Sequence, residues 1–147
     1  MTDEDTLALF ADFRGRSITR LRRVMFVCRD KIDDTSGPLE LSFDDGSTLL
    51  FDAGPDGEAL AVKPAAWIAY FTEPISAKNQ EFILRSGKWT GFDVSGQPPY
   101  SQLISTIVQE ITPVRTPEDK IKGAIIMTSS CVVRVEVEAD EMTVGIA

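Results

Sequence analysis

The side chains best supplied for chemistry in this chain are carboxylates. They gather on Asp44-Asp45-Gly46-Ser47, on Asp56-Gly57-Glu58, on Asp33-Asp34, and on the final run Glu136, Glu138, Asp140 and Glu141. Grouped carboxylates can hold calcium, or act as acid and base on the two sides of a glycosidic bond. A calcium loop needs more ligands at fixed offsets and a bidentate Glu, and that pattern is absent. Two-acid hydrolysis needs its acids opposed across a cleft, where acids at turn tips are poorly placed. Asp-Gly between alternating apolar runs is turn chemistry, since Gly takes positive φ freely and Asp bonds its own backbone. Turn tips are also where binding residues are displayed, so an acidic patch facing a partner stays open beside the turn reading.

The chain has no histidine. Imidazole is the usual proton carrier near neutral pH and the commonest metal ligand, so His-dependent triads, His-ligated zinc and His general bases are all excluded. The two cysteines, Cys28 and Cys131, lie in apolar strand-like runs without zinc or disulfide spacing, which predicts buried free thiols. Seven basic residues and one acid occupy Arg14 to Lys31, a local charge of +6. The rest carries eight basic and twenty-two acidic residues, −14, for a net −8. Guanidinium forks match phosphate, yet the cluster lacks a Gly-rich cradle and aromatic interleaving beyond Phe26. These arginines are expected to line the polar side of a strand and pair with carboxylates. Since most of the chain repels phosphates, we expect no nucleic-acid binding and favour a basic protein partner instead.

The elements that position these residues follow from periodicity. Asp3, Glu4 and Asp5 precede apolar Leu7, Leu9, Phe10 and Phe13, predicting a short N-terminal amphipathic helix that ends near Gly15. SITRLRRVMFVCR reads as a strand from its β-branched content. Alternation then predicts a hairpin turning at Asp44 to Ser47 and a further strand at Gly57 to Val62. A second set turns at Thr128 to Ser130 and closes with Asp140 to Val144. Val133, Val135 and Val137 alternate with Arg134, Glu136 and Glu138 at period two, so one face is buried and the other wet.

A shift of 86 positions superposes Ile104 on Ile18, Ile107 on Leu21, Arg115 on Arg29, Asp119 on Asp33, Gly123 on Gly37, Ile125 on Leu39 and Met127 on Leu41. The expected fold is α+β and mainly antiparallel: one domain, residues 1–147, with two related four-stranded meanders at about 16–62 and 102–146. The linker, residues 63–101, holds a helix over Ala77 to Ser86, capped by Ser76 and stopped by Gly87. Its prolines Pro64, Pro74, Pro98 and Pro99 argue against regular strand pairing there. Trp67, Tyr70, Phe71, Trp89, Phe92 and Tyr100 surround this helix. Large aromatics ordinarily belong to the core, and when exposed they anchor interfaces.

No apolar run reaches the ~20 residues of a membrane helix. The start, MTDEDTLALF, is acidic where a signal peptide is basic, so a cytoplasmic protein without membrane association is expected.

The stretch GPLELSFDDGSTLLFDAGPDGEALAV, followed by Trp67, and the later KWTGFDVS resemble segments of small bacterial proteins that include immunity proteins of polymorphic-toxin systems. The resemblance rests on turns and strand alternation over about residues 37–89 and the terminal hairpins. It implies a non-catalytic protein, needing no cofactor or metal, that blocks a cognate toxin by direct binding. The expected partner surface comprises Asp44, Asp45, Asp56, Glu58, Trp67, Tyr70, Glu136, Glu138, Asp140 and Glu141, facing a basic toxin. The alternative is a small-ligand or structural module with Trp67, Trp89 and Tyr100 around a pocket.

Overall fold

The computed structural model describes residues 2–147. Helix α1, Asp3–Asp12, starts on a capping box: Asp5 N–H donates to the Thr2 hydroxyl (3.2 Å) and Thr2 N–H to the Asp5 carboxylate (2.9 Å). Gly15, at φ +85°, turns the chain into strand β1, Ile18–Cys28. Then come β2, Lys31–Asp33, β3, Leu39–Phe43, β4, Thr48–Ala53, and β5, Leu60–Lys63. Helix α2, Ala77–Ser86, leads into β6, Lys88–Asp93. A 3-10 turn at Tyr100–Leu103 precedes a second sheet of β7, Val108–Arg115, β8, Ile121–Thr128, β9, Val132–Glu138, and β10, Glu141–Ile146.

The expected α+β class with antiparallel meanders and an N-terminal helix is what the chain adopts, and the second sheet is the meander β7-β8-β9-β10. The first sheet has six strands, two more than expected. β1, β3, β4 and β5 form the meander, and β2 extends the β1 hairpin at its tip. β6 pairs with β1 on its other edge, Phe26 opposite Trp89 and Arg22 opposite Asp93. The prolines of the linker do not prevent this, because they flank Lys88–Asp93 without entering it, and its Trp, Thr and Phe suit a pleated surface.

The two sheets face each other over one core. Leu21, Leu41, Leu49 and Phe51 from the first meet Ile126, Val133, Val135 and Val137 from the second, and Phe10 of α1 and Phe13 just after it close one side. The segments entering β1 and β7 also pair, Ile18 N–H donating to Thr106 O (2.9 Å) and Val108 N–H to Arg16 O (3.0 Å). Arg23, 2% exposed, joins both sheets without a carboxylate partner. It donates to the carbonyls of Thr35 (3.2 Å), Gly37 (3.0 Å) and Met142 (2.6 Å) and to the Tyr100 hydroxyl (3.3 Å).

Strand β3 is buried on both faces, with Leu39, Glu40 and Leu41 all inaccessible, because the linker segment around Trp67 covers the face of the first sheet opposite the core. Among the described residues no helix is long and apolar enough to cross a membrane.

Candidate functional site

The site begins with a cross-strand pair. Arg22 on β1 stands directly opposite Glu40 on β3, so their side chains share the outer face of the first sheet. The guanidinium grips the carboxylate with two bonds, Nε to Oε1 (3.2 Å) and a terminal nitrogen to Oε2 (2.7 Å). Arg20 approaches the same carboxylate at 3.5 Å. This pair holds the linker: Glu40 Oε2 accepts the Trp67 N–H (2.7 Å) and Arg22 donates to the Trp67 carbonyl (2.8 Å). Arg22 also lies over the Trp67 ring, 5.7 Å from its centroid. A segment without regular structure is thus fixed through both polar groups of one residue. The expectation that these arginines pair with acids on a strand holds here.

Beyond Trp67 the chain exposes apolar side chains. Ile68 is 81% exposed and Tyr70 is 91% exposed, and Leu84, Phe82 and Trp89 are also open to solvent. None of the six linker aromatics is fully buried: Phe92 and Tyr100 pack against the core from its edge, whereas for Trp67, Tyr70, Phe71 and Trp89 the assignment to the core is corrected, since they lie outside it. The aromatics touch one another, Tyr70 edge-on to Phe71 (4.9 Å between centroids), and Phe71 and Phe82 (6.0 Å) and Phe26 and Trp89 (5.2 Å) in tilted pairs. Helix α2 has the Ser76 cap and the Gly87 stop that its sequence predicts, yet no residue of it is buried. Gly87, at φ +78°, sits so close to β1 that an added Cβ would lie 2.6 Å from the Val27 carbonyl oxygen.

A cleft of about 300 Å³ opens between the Trp67 segment and the β9–β10 turn, lined by Val24, Trp67, Tyr70, Trp89, Asp52 and Asp140 among others. A neighbouring hollow of about 270 Å³ shares Tyr70 and Trp89 and adds Phe26, Phe71 and Phe82. Burial holds the Asp52 carboxyl above the usual range, against the opposing pull of the Ala53 N–H and Lys63. Tyr100, expected beside the tryptophans, is instead on Arg23.

The other expected residues spread over several places. Asp44 and Asp45 form the β3–β4 turn; Asp45 accepts from Ser47 N–H (2.9 Å) and hydroxyl and pairs with Arg16 (3.5 Å). Asp56 accepts from Glu58 N–H (3.0 Å) and Ala59 N–H (2.9 Å), and both Asp56 and Glu58 meet Lys120 at 3.3 Å. The two backbone donors, more than Lys120, bring the Asp56 pKa down to about 2. Asp56 borders a cavity of about 630 Å³ between β5 and the start of α1. Glu136 is engaged by Lys122 (2.7 Å) and Arg134 (2.9 Å), Lys122 being the larger influence lowering its pKa. Glu138, Asp140 and Glu141 are exposed on the last hairpin.

Of the ten, the fold brings Trp67, Tyr70 and Asp140 to one cleft. Asp52 and Trp89 also belong there and were not singled out as partner-binding from sequence. Asp52 lies in the run LLFDAG, where a carboxylate interrupts apolar residues of a strand, and that interruption was the available signal. Among the described residues no group of three or more Cys, Asp or Glu is placed to hold a metal ion. No protein-family model, characterised protein or solved structure matches this chain.

Proposed function

We propose that this chain is a non-catalytic binding protein that neutralises a cognate secreted toxin, in the cytoplasm of the producing cell, by direct protein–protein association. The observation that carries the reading is the exposed patch of Ile68, Tyr70, Phe82 and Trp89, which line two adjoining hollows and are set on a base fixed by Arg22 and Glu40. Scattered exposed apolar residues are ordinary, but a contiguous aromatic-rich patch marks an interaction surface. Tyr and Trp are the side chains that dominate such surfaces energetically. The patch adjoins Asp140, with Glu138 and Glu141 on the same hairpin, in a chain of net charge −8, which favours a basic counterpart and an association rate that falls with salt. The turn-and-strand resemblance to immunity proteins points the same way.

The test is co-purification with the toxin encoded beside this chain, at low and high salt, together with rescue of toxin-expressing cells. Tyr70→Ala and Trp89→Ala are expected to weaken capture by at least ~10-fold each, as anchor truncations do. Absence of both binding and rescue refutes the proposal. A small-ligand module is the second reading, favoured by Trp67 and Trp89 sharing a cavity at the lower limit of ligand-site volumes. Thermal stabilisation by a soluble metabolite fraction of low molecular mass, without capture of the toxin, would select it.

A further inference from the structure

We propose that the cleft lined by Trp67, Tyr70, Trp89, Asp52 and Asp140 receives a single arginine side chain presented by the basic partner. This rests on the toxin-binding reading and assigns the chemistry of one contact within it. A guanidinium is flat, weakly hydrated and permanently charged; it stacks on aromatic faces and forks onto carboxylates. The cleft offers three aromatic side chains and two carboxylates around about 300 Å³.

What sets these two acids apart is their place in an aromatic-lined cleft, since among the described residues others on the surface, such as Asp33, Asp44, Asp93, Glu138 and Glu141, are also in no ion pair. Asp3, Asp12, Glu40, Asp45, Asp56, Glu58, Asp119 and Glu136 each meet a lysine or arginine of the chain itself. Among the described residues Asp52 and Asp140 are in no ion pair, although both line a concave surface. The Asp52 carboxylate accepts only from the adjacent Ala53 N–H (2.7 Å). Lys63 acts on it through space without reaching ion-pair distance, and burial disfavours its charged form, a penalty that an incoming cation offsets. The backbone of Asp140 is held in position: its N–H donates to the Gly57 carbonyl (2.9 Å), and its carboxylate lies beside Gly57.

The chain also contains an internal version of the same contact. Arg22 lies over Trp67 while it grips Glu40, which is an arginine shared between an indole and a carboxylate. The open cleft next to it has the same two kinds of group without the cation.

The direct test is an NMR titration of the intact chain, following the indole N–H signals of Trp67 and Trp89. The probes are N-acetyl-arginine amide, its neutral isostere N-acetyl-citrulline amide, and cellobiose as an uncharged ring-stacking sugar. Saturable shifts with the arginine probe in the millimolar range are expected, with citrulline at least ~10-fold weaker. Asp52→Asn and Asp140→Asn, which keep shape, should each weaken the arginine probe by ~3- to 10-fold, and Trp89→Leu by a similar factor. Spectral dispersion like that of the parent chain shows that the variants are folded. Equal response to arginine and citrulline, tighter binding of cellobiose, no saturable shift, or indifference to both Asn substitutions would each overturn the assignment. The titration contains no toxin, so its failure removes the arginine contact alone, while co-purification and rescue decide the toxin-binding reading separately.

Discussion

Replacing Glu40 by Gln tests whether one buried carboxylate ties the Trp67 segment to the sheet. Gln conserves volume, so packing is unchanged and the effect isolates charge and hydrogen bonding. Glu40 is 0% exposed, and its Oε2 accepts from both Arg22 (2.7 Å) and the Trp67 N–H (2.7 Å). An amide that keeps its oxygen there must turn its NH₂ toward Arg22 Nε and Arg20, which approach Oε1 at 3.2 Å and 3.5 Å. Donor then faces donor, and a guanidinium loses its counter-charge. Breaking one side of a fully buried pair costs about 3–5 kcal/mol. Here Arg22 is 25% exposed and Arg20 is 50% exposed, so water recovers part of their solvation. The expected loss is about 2–3 kcal/mol, or a Tm lower by roughly 4–12 °C for a chain of this size.

Two assays read this. Thermal unfolding gives the global loss. In a Trp89→Phe background the single remaining indole, Trp67, should become more accessible to acrylamide at temperatures well below unfolding, because its segment is released first. A cycle with Arg22→Met should show coupling of about 2 kcal/mol between positions 22 and 40. A Tm change under about 1 °C, or coupling below about 0.5 kcal/mol, would refute the view that this pair fixes the segment.

Three further outcomes are expected. Asp56 should titrate by carboxyl NMR near its pKa of about 2; because this lies below the unfolded value, its stabilisation is present above about pH 4 and is lost as pH falls toward 2, and a midpoint at the ordinary 3.8 would contradict the turn geometry. Asp52 shifts the opposite way, so its contribution is full below the unfolded pKa of 3.8 and is lost as pH rises through the folded value; Asp52→Asn should therefore raise Tm at pH 7 and make no difference below about pH 3.5. Arg23→Met removes the donors of the Thr35, Gly37 and Met142 carbonyls, and denaturant titration should show a loss of about 2–4 kcal/mol, tempered by relief of burying a cation.

What the sequence determined by itself is the set of locally encoded features. The period-two run from Val133 to Glu138 is β9, with its valines inward, because alternation sets which face is buried. The Ser76 cap, the Gly87 stop and the Asp45 and Asp56 turns are read from single residues, because each satisfies backbone groups within four positions of itself. Histidine-based catalysis was excluded by composition alone.

Tertiary structure decided what depends on distant partners. Glu40 reads as the polar member of an alternating strand, yet it is buried because residues 64–71, some 27 positions away, cover that face. The pairing of β6 with β1 joins segments that no local pattern connects. Trp67, Tyr70, Phe71 and Trp89, large enough to form a core, stay outside it because two sheets and α1 already fill the interior, while Phe92 and Tyr100 pack against its edge. Asp52 and Asp140, separated along the chain, come to one cleft only when the linker closes over the first sheet and the last hairpin lies beside it. Turns and caps need nothing beyond their neighbours, whereas a cleft needs the packing of elements whose contacts are set by how surfaces fit.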